Sequence, residues 1–294
     1  MTNKRRNEYL VAAVLVAPFV LIFGWMFIYP TIQMVVLSFT KSPLIGAGTW
    51  IGFDNYVKMF GDRTFWTAVW NTAYFVLLTV VPGTAAAMII ALMVSRLNGW
   101  VQSMILAFFF LPYILPVTVV YLIWDWMLNV QFGIAQFIIE PIAGKRTNVW
   151  RAIPWFMPMA ALLTIWWTNG FSILLFLAGL RNIPRELYEA AALDGGTRWQ
   201  VFRAITWPLL WPVTVLCLTI QLILQLKIFD QVYLFAQGGR TQATMVLVQY
   251  IYEQAFQKNA GGYAATIAVA LFVIVVGFSL LQFQLLRARG GTAK

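Results

Sequence analysis

The chain has 294 residues, is 61% hydrophobic and only 10% charged, and carries a formal net charge of +10 with no histidine. Soluble domains carry about 25% charged residues, so a water-soluble fold could not hide this much apolar surface, and the composition is that of an all-α polytopic membrane protein. Histidine metal sites and imidazole proton chemistry are excluded, the lone Cys217 excludes an internal disulfide framework, and basic residues scattered singly at the ends of apolar runs are not a nucleic-acid patch.

In chain order, Lys4-Arg5-Arg6 precede an apolar stretch from Tyr9 to Thr40. That stretch is too long for a signal-peptide core and no small-residue cleavage site follows it, so it reads as an uncleaved anchor. A helix needs roughly 20 apolar residues to cross the hydrocarbon. Six windows without Asp, Glu, Lys or Arg meet that length: Tyr9–Thr40, Thr64–Ser95, Leu97–Trp124, Ala152–Leu180, Ala204–Leu226 and Asn259–Leu286. They predict a single transmembrane domain over residues 1–294 with spans at about 10–37, 67–95, 103–126, 155–179, 207–227 and 263–285. An even number of spans puts both termini on one side, and the Lys4-Arg5-Arg6 cluster assigns that side to the cytoplasm. The expected location is a bacterial cytoplasmic (inner) membrane. Thr244–Phe256 is apolar but too short to span, and is expected to lie across the outer mouth. Pro112 and Pro116, in Leu-Pro-Tyr-Ile-Leu-Pro, are expected to break the third span and shape a pathway.

Residues 181–206, between spans four and five, are polar and helix-coded. Pro184 suits a first helical turn, and Glu186 and Glu189 then sit near the positive end of the helix dipole. Leu187, Ala190 and Ala191 recur at helical spacing and form a small-residue face that another protein can approach closely. Gly195-Gly196 end the helix, because glycine reaches the left-handed conformation without penalty. Thr197 can cap a second helix carrying Trp199, Phe202 and Ile205, and Pro208 is expected to open the fifth span. The predicted object is an elbow of two short helices that docks another protein.

That elbow resembles the coupling motif of permease subunits of binding-protein-dependent ABC importers: Glu-Ala-Ala, three residues, Gly, nine residues, Ile, one residue, Leu-Pro. Glu189-Ala190-Ala191, Gly195, Ile205 and Pro208 stand at those spacings, with Trp207 in place of leucine. Ile183-Pro184, Leu187-Tyr188-Glu189 and Leu193-Asp194-Gly195 are most similar to the carbohydrate branch, which includes the maltose, lactose and glycerol-3-phosphate permeases. Further agreement lies at Leu111-Pro112-Tyr113, Phe229-Asp230, Gly238-Gly239, Tyr250-Ile251-Tyr252 and Ala255-Phe256, while Arg240 departs from the proline usual there. The resemblance implies the type I ABC importer permease fold, with Glu189, Ala190, Ala191, Asp194, Gly195, Ile205 and Pro208 coupling to an ATPase. It implies a second homologous permease chain, an ATPase dimer, an extracytoplasmic solute-binding protein and a sugar-type substrate as partners, besides membrane lipid and without nucleic acid. No phosphate-binding loop occurs, since Gly144-Lys145 is followed by Arg146 and lacks the earlier glycine. No cofactor is therefore expected in this chain, which is not an enzyme, with ATP and Mg carried by the partner ATPase.

A polar substrate needs hydrogen bonds and a stacking surface near the midplane. Span four carries Trp166-Trp167-Thr168-Asn169 near its centre, span five carries Gln221 and Gln225 one helical turn apart, and span three carries Tyr113 beside a proline. The resemblance adds Phe171 and implies that Tyr113, Trp167, Thr168, Phe171, Gln221 and Gln225 line the path. The alternative is that the tryptophans face lipid or a partner and the glutamines bond between helices. Lys227 either meets an anionic substrate group, snorkels to the interface, or pairs with Asp230. Outside the ABC class, a secondary transporter or channel for a small polar solute is the alternative, although the windows hold no carboxylate or histidine for a coupling relay.

Overall fold

Helix α1 (Asn3–Phe23), one widened π turn (Gly24–Ile28) and α2 (Tyr29–Ser38) form a continuous apolar rod. None of its apolar window is buried by the rest of the chain, so lipid or another subunit must cover it. The widening has a local cause. Pro30 offers no N–H and its ring would press on the carbonyl one turn back, and the turn before it opens so that Tyr29 N–H reaches Gly24 O. The computed structural model describes residues 3–97, 99–148, 155–236 and 242–290. The chain divides into two units, Met1–Phe65 with Tyr250–Val273 and Trp66–Gln249 with Ile274–Lys294. Of the family resemblance, Gly238, Gly239 and Arg240 lie outside the described residues.

The first unit continues into a small antiparallel hairpin, which an all-helical reading did not anticipate. Its strands β1 (Thr40–Lys41) and β2 (Thr49–Trp50) pair Thr40 with Trp50 and Lys41 with Thr49. Helix α3 (Asp54–Gly61) follows and buries Asn55 and Met59. The Asn55 amide donates to Ser38 O at 3.0 Å and Thr40 O at 2.9 Å, satisfying carbonyls freed where α2 ends. Asp62, next in sequence, accepts hydrogen bonds from the Tyr250 hydroxyl, from the Tyr263 hydroxyl at 2.7 Å and from Thr64 N–H at 2.8 Å. Burial works to raise its carboxyl pKa, but those bonds outweigh burial and hold it below the ordinary 3.8.

The second unit takes most of α4 (Arg63–Val94), then α5 (Gly99–Ile114), α6 (Val117–Met127), α7 (Gln136–Ala143), α8 (Phe156–Arg181) and the elbow helices α9 (Arg185–Leu193) and α10 (Arg198–Val201). After a second π turn (Phe202–Thr206) come α11 (Trp207–Leu226) and α12 (Asp230–Phe235). The chain then runs through α13 (Leu247–Tyr252), a third π turn (Glu253–Gln257) and α14 (Gly261–Gly290). Asn71 on α4 donates to Ala243 O at 3.0 Å and Met245 O at 2.9 Å, and Leu247 N–H donates to Thr72 Oγ1 at 2.9 Å, pinning the approach to α13. One core cluster gathers Phe75, Leu128, Phe156, Val232 and Val246, and another gathers Ala87, Ala91, Ile173, Phe176 and Cys217. Small residues let helices close up. A Cβ on Gly170 would overlap the Phe109 carbonyl of α5, and one on Gly179 would lie 2.8 Å from Val213 of α11.

Among the described residues, five helical runs are long and apolar enough to span: Val11–Ser38, Arg63–Val94, Phe156–Arg181, Arg198–Leu226 and Gly261–Gln282. The pair α5 and α6, which meet at 103°, passes the same test of length and apolarity when the two are taken together. The break expected at Pro112 and Pro116 therefore falls at Leu115-Pro116, while Pro112 stays inside α5. The helix that carries the fifth span is longer than the sequence reading expected. Its helical run does not start at Pro208 but extends back to Arg198, so the second elbow helix and α11 are continuous. The same device makes this possible as at Pro30: the turn before Pro208 widens, with Trp207 N–H bonded to Phe202 O.

Candidate coupling elbow and transmembrane polar cluster

The elbow is held by its own caps. Gly195 is left-handed at φ +73°, and two hydrogen bonds close the end of α9: Gly195 N–H to Ala192 O at 3.2 Å and Gly196 N–H to Ala191 O at 2.9 Å. This paired pattern is the Schellman motif. Gly196 is needed for a different reason, since a Cβ there would lie 2.9 Å from the Ala191 carbonyl oxygen. Pro184 is the residue before the helix rather than its first turn. Thr197 and Gln200 form a capping box at the start of α10, with Thr197 N–H donating to Gln200 Oε1 at 2.8 Å. The Thr-x-x-Gln spacing was readable in the sequence, and only the threonine was singled out. A contact the sequence did not signal joins the two arms: the Tyr188 hydroxyl lies 3.1 Å from buried Thr206 Oγ1.

Of the coupling residues, Glu189, Ala190, Asp194, Gly195 and Pro208 are exposed, and Ala191 and Ile205 are half-buried. Leu193 is 90% exposed and Trp199, stacked on Phe202, is 67% exposed. Large apolar side chains held in the open beside acidic residues on a capped frame are the makings of a docking surface.

The candidate path residues fall into separate groups. Gln221 Nε2 donates to Ser172 Oγ on α8 at 3.2 Å, and Gln225 Nε2 donates to Gln221 Oε1 at 3.3 Å. Both glutamines are buried, so they join spans four and five as one hydrogen-bonded chain. Ser172 is the member that sequence reasoning missed, because a serine in an apolar run signals nothing without its partner. Tyr113 stacks on Phe171, with ring centroids 5.8 Å apart and 17° between planes. Trp166 meets Trp124 edge to face at 5.4 Å. Trp167 has a different task from its neighbour: its indole N–H donates to Leu115 O at 3.1 Å, at the break in the third span. Broken backbone at membrane depth needs such partners. Thr168 bonds to Thr164 O of its own helix at 2.8 Å. Asn169 is buried and its Oδ1 has no partner, as is true of Thr84 Oγ1 and Trp124 Nε1. Lys227 caps the end of α11, is exposed, and forms no ion pair with Asp230.

Comparison with known proteins identifies this architecture. Residues 83–289 match the family described as "Binding-protein-dependent transport system inner membrane component". The chain is 31% identical over 286 residues to the sulfoquinovosyl glycerol transport system permease protein SmoG of Agrobacterium fabrum, covering 96% of this chain and 92% of that protein. It is 33% identical over 282 residues to the arabinooligosaccharides transport system permease protein AraP of Halalkalibacterium halodurans, covering 95% and 88%. Its fold is similar, with a TM-score of 0.83 at 24% identity and 96% coverage of both chains, to a chain in the crystal structure of a bacterial ABC transporter involved in the import of the acidic polysaccharide alginate. The elbow, the apolar spans and the extent of these matches agree: the chain belongs to the binding-protein-dependent transport system inner membrane components, the permease subunits of ABC importers.

Proposed function

We propose that this permease subunit pairs with a second permease chain to form the path for a sugar or sugar derivative. The observation that carries the reading is the exposed elbow, capped at Gly195 and Thr197 and braced by Tyr188 against Thr206. A helix pair held so firmly and continuous with a membrane span transmits force, whereas a mere connector needs no such bracing. Two partner ATPases, holding ATP and Mg, would grip the two elbows and on closing swing the spans between outward and inward access. An extracytoplasmic solute-binding protein delivers the cargo, and both termini lie in the cytoplasm with the elbow. The sugar class is supported by the cargoes named for the relatives, sulfoquinovosyl glycerol and arabinooligosaccharides. Buried but unpaired Asn169 Oδ1, Thr84 Oγ1 and Trp124 Nε1 support a polar route near α8, since buried polar atoms ordinarily find partners. Family membership disfavours a secondary transporter or channel.

The test is uptake in proteoliposomes containing the permease pair, the ATPases and the binding protein. ATP-dependent uptake of a sugar ligand of the binding protein is expected. Uptake that persists without the ATPases would overturn the reading.

A further inference from the structure

The elbow closes one side of a cavity of about 740 Å³ where the ends of α4 and α8 meet it. Arg96, Arg181, Arg185 and Arg198 line this cavity, and no carboxylate does. Among the described residues the ion pairs are Arg146–Glu140 and Lys258–Glu253, so no described side chain forms an ion pair with any of the four arginines. Arg185, Tyr188 and Ala192 line the cavity, and their spacings of three and four residues put them on one face of α9. Glu189 follows Arg185 by four residues and so stands beside it, but neither it nor Glu186 lines the cavity, and both are exposed.

Arg181 is also held in place. Its guanidinium donates to Gln102 Oε1 at 3.0 Å, and Gln102 Nε2 donates in turn to Val94 O at 3.0 Å. Like charges gathered without a counter-charge repel one another, and an anion between them removes that cost. Guanidinium forks match phosphate oxygens in pairs. Apolar Leu92 and Leu177, from the last turns of α4 and α8, complete the wall. Cations above an apolar wall at the end of membrane spans are the arrangement that takes a headgroup phosphate with its acyl chains.

We propose that this cavity binds a phosphate-type anion, either the phosphodiester of an anionic phospholipid or soluble phosphate, with the apolar wall favouring the lipid. The test uses the whole importer assembly in nanodiscs of phosphatidylcholine, with or without phosphatidylglycerol. Mass spectrometry quantifies the phosphatidylglycerol retained after a detergent wash. The double variant Arg185→Gln/Arg198→Gln should retain about tenfold less than wild type, while Arg146→Gln, outside the cavity, should match wild type. Arg185→Lys/Arg198→Lys should fall between, keeping charge without the fork. Arg96→Gln, which lies off the elbow, repeats the measurement should the elbow variants fail to assemble. A thermal-shift titration with inorganic phosphate in phosphatidylcholine discs distinguishes the sources: stabilisation that the glutamine pair abolishes supports a soluble anion. Equal retention in wild type and the arginine variants, with no arginine-dependent phosphate shift, overturns the proposal. Loss of the ATPases from the glutamine pair, rescued by altering an ATPase carboxylate, also overturns it by making the cavity a protein interface.

Discussion

A Cβ placed on Gly195 would meet nothing within 4 Å, so only its φ of +73° opposes a side chain there. Gly195→Ala should therefore cost about 1–2 kcal/mol through the left-handed backbone alone, and Gly195→Val more, because a β-branched residue is poorer still in that region. In the reconstituted assembly, Gly195→Val should uncouple substrate-stimulated ATP turnover from uptake. Glu189→Lys should instead weaken ATPase association, and a compensating charge change on the ATPase should restore part of it. Wild-type coupling in both variants would reduce the elbow to a connector. The buried glutamines invite a sharper pair of substitutions. Gln221→Leu strands the Gln225 amide as well as Ser172, so it should lower the unfolding midpoint of the assembly, with a cost of about 1–3 kcal/mol. Gln225→Leu strands one acceptor and should cost less. If Gln225→Leu keeps its midpoint but loses uptake, the side chain serves the substrate rather than the helix contact. The left-handed glycine was legible from sequence, because glycine pairs after an alanine-rich helix have few other uses. Trp167's bond to Leu115 was not legible, since it joins residues from two spans and depends on how those helices dock.

At the scale of elements, the spans could be read from gaps between charges because apolar length is a local property. Where each helix ends could not. Arg198 and Arg203 interrupt the hydrophobic pattern before α11, yet the backbone runs on through both; charge decides what a helix touches and not whether it continues. The third span was expected to break, but its 103° bend depends on what receives the freed carbonyl, here Trp167. Trp167→Phe keeps the ring and removes that donor, so it should destabilise by about 1–3 kcal/mol, read as faster hydrogen exchange around Leu115. In the first unit, Asp62 joins the start of α4 to α13 and α14. Its pKa is held below 3.8, so its contribution to stability is complete above that value and is lost as pH falls through the lower folded value. Asp62→Asn should thus be less stable than wild type at neutral pH, and the gap in unfolding midpoint should narrow on acidification below about 3.8. A gap that does not change with pH would mean the tyrosines gain nothing from the charge.

For the whole molecule, a first span with none of its apolar window buried, together with an elbow exposing Leu193 and Trp199, describes a chain unfinished by itself. Purified alone, it should hydrolyse no ATP above a mock preparation and transport nothing when reconstituted with ATP. Activity in that preparation would contradict the assignment of the energy source to a partner. The widened turn at Phe202–Thr206 bears on how any such partner is felt. An α-helix advances about 100° per residue, and a turn closed five residues back instead of four holds one residue more. Everything on the elbow side of Pro208 is thus set at an angular offset of about 100° from where an unbroken helix would leave it. Pro208→Ala, with no residue removed, would let the run close as a simple α-helix over all its residues and hardly alter its composition. The elbow would then address its partner with a different face while the membrane half of α11 stayed as it is, so the extra residue acts as a clocking key between shaft and lever.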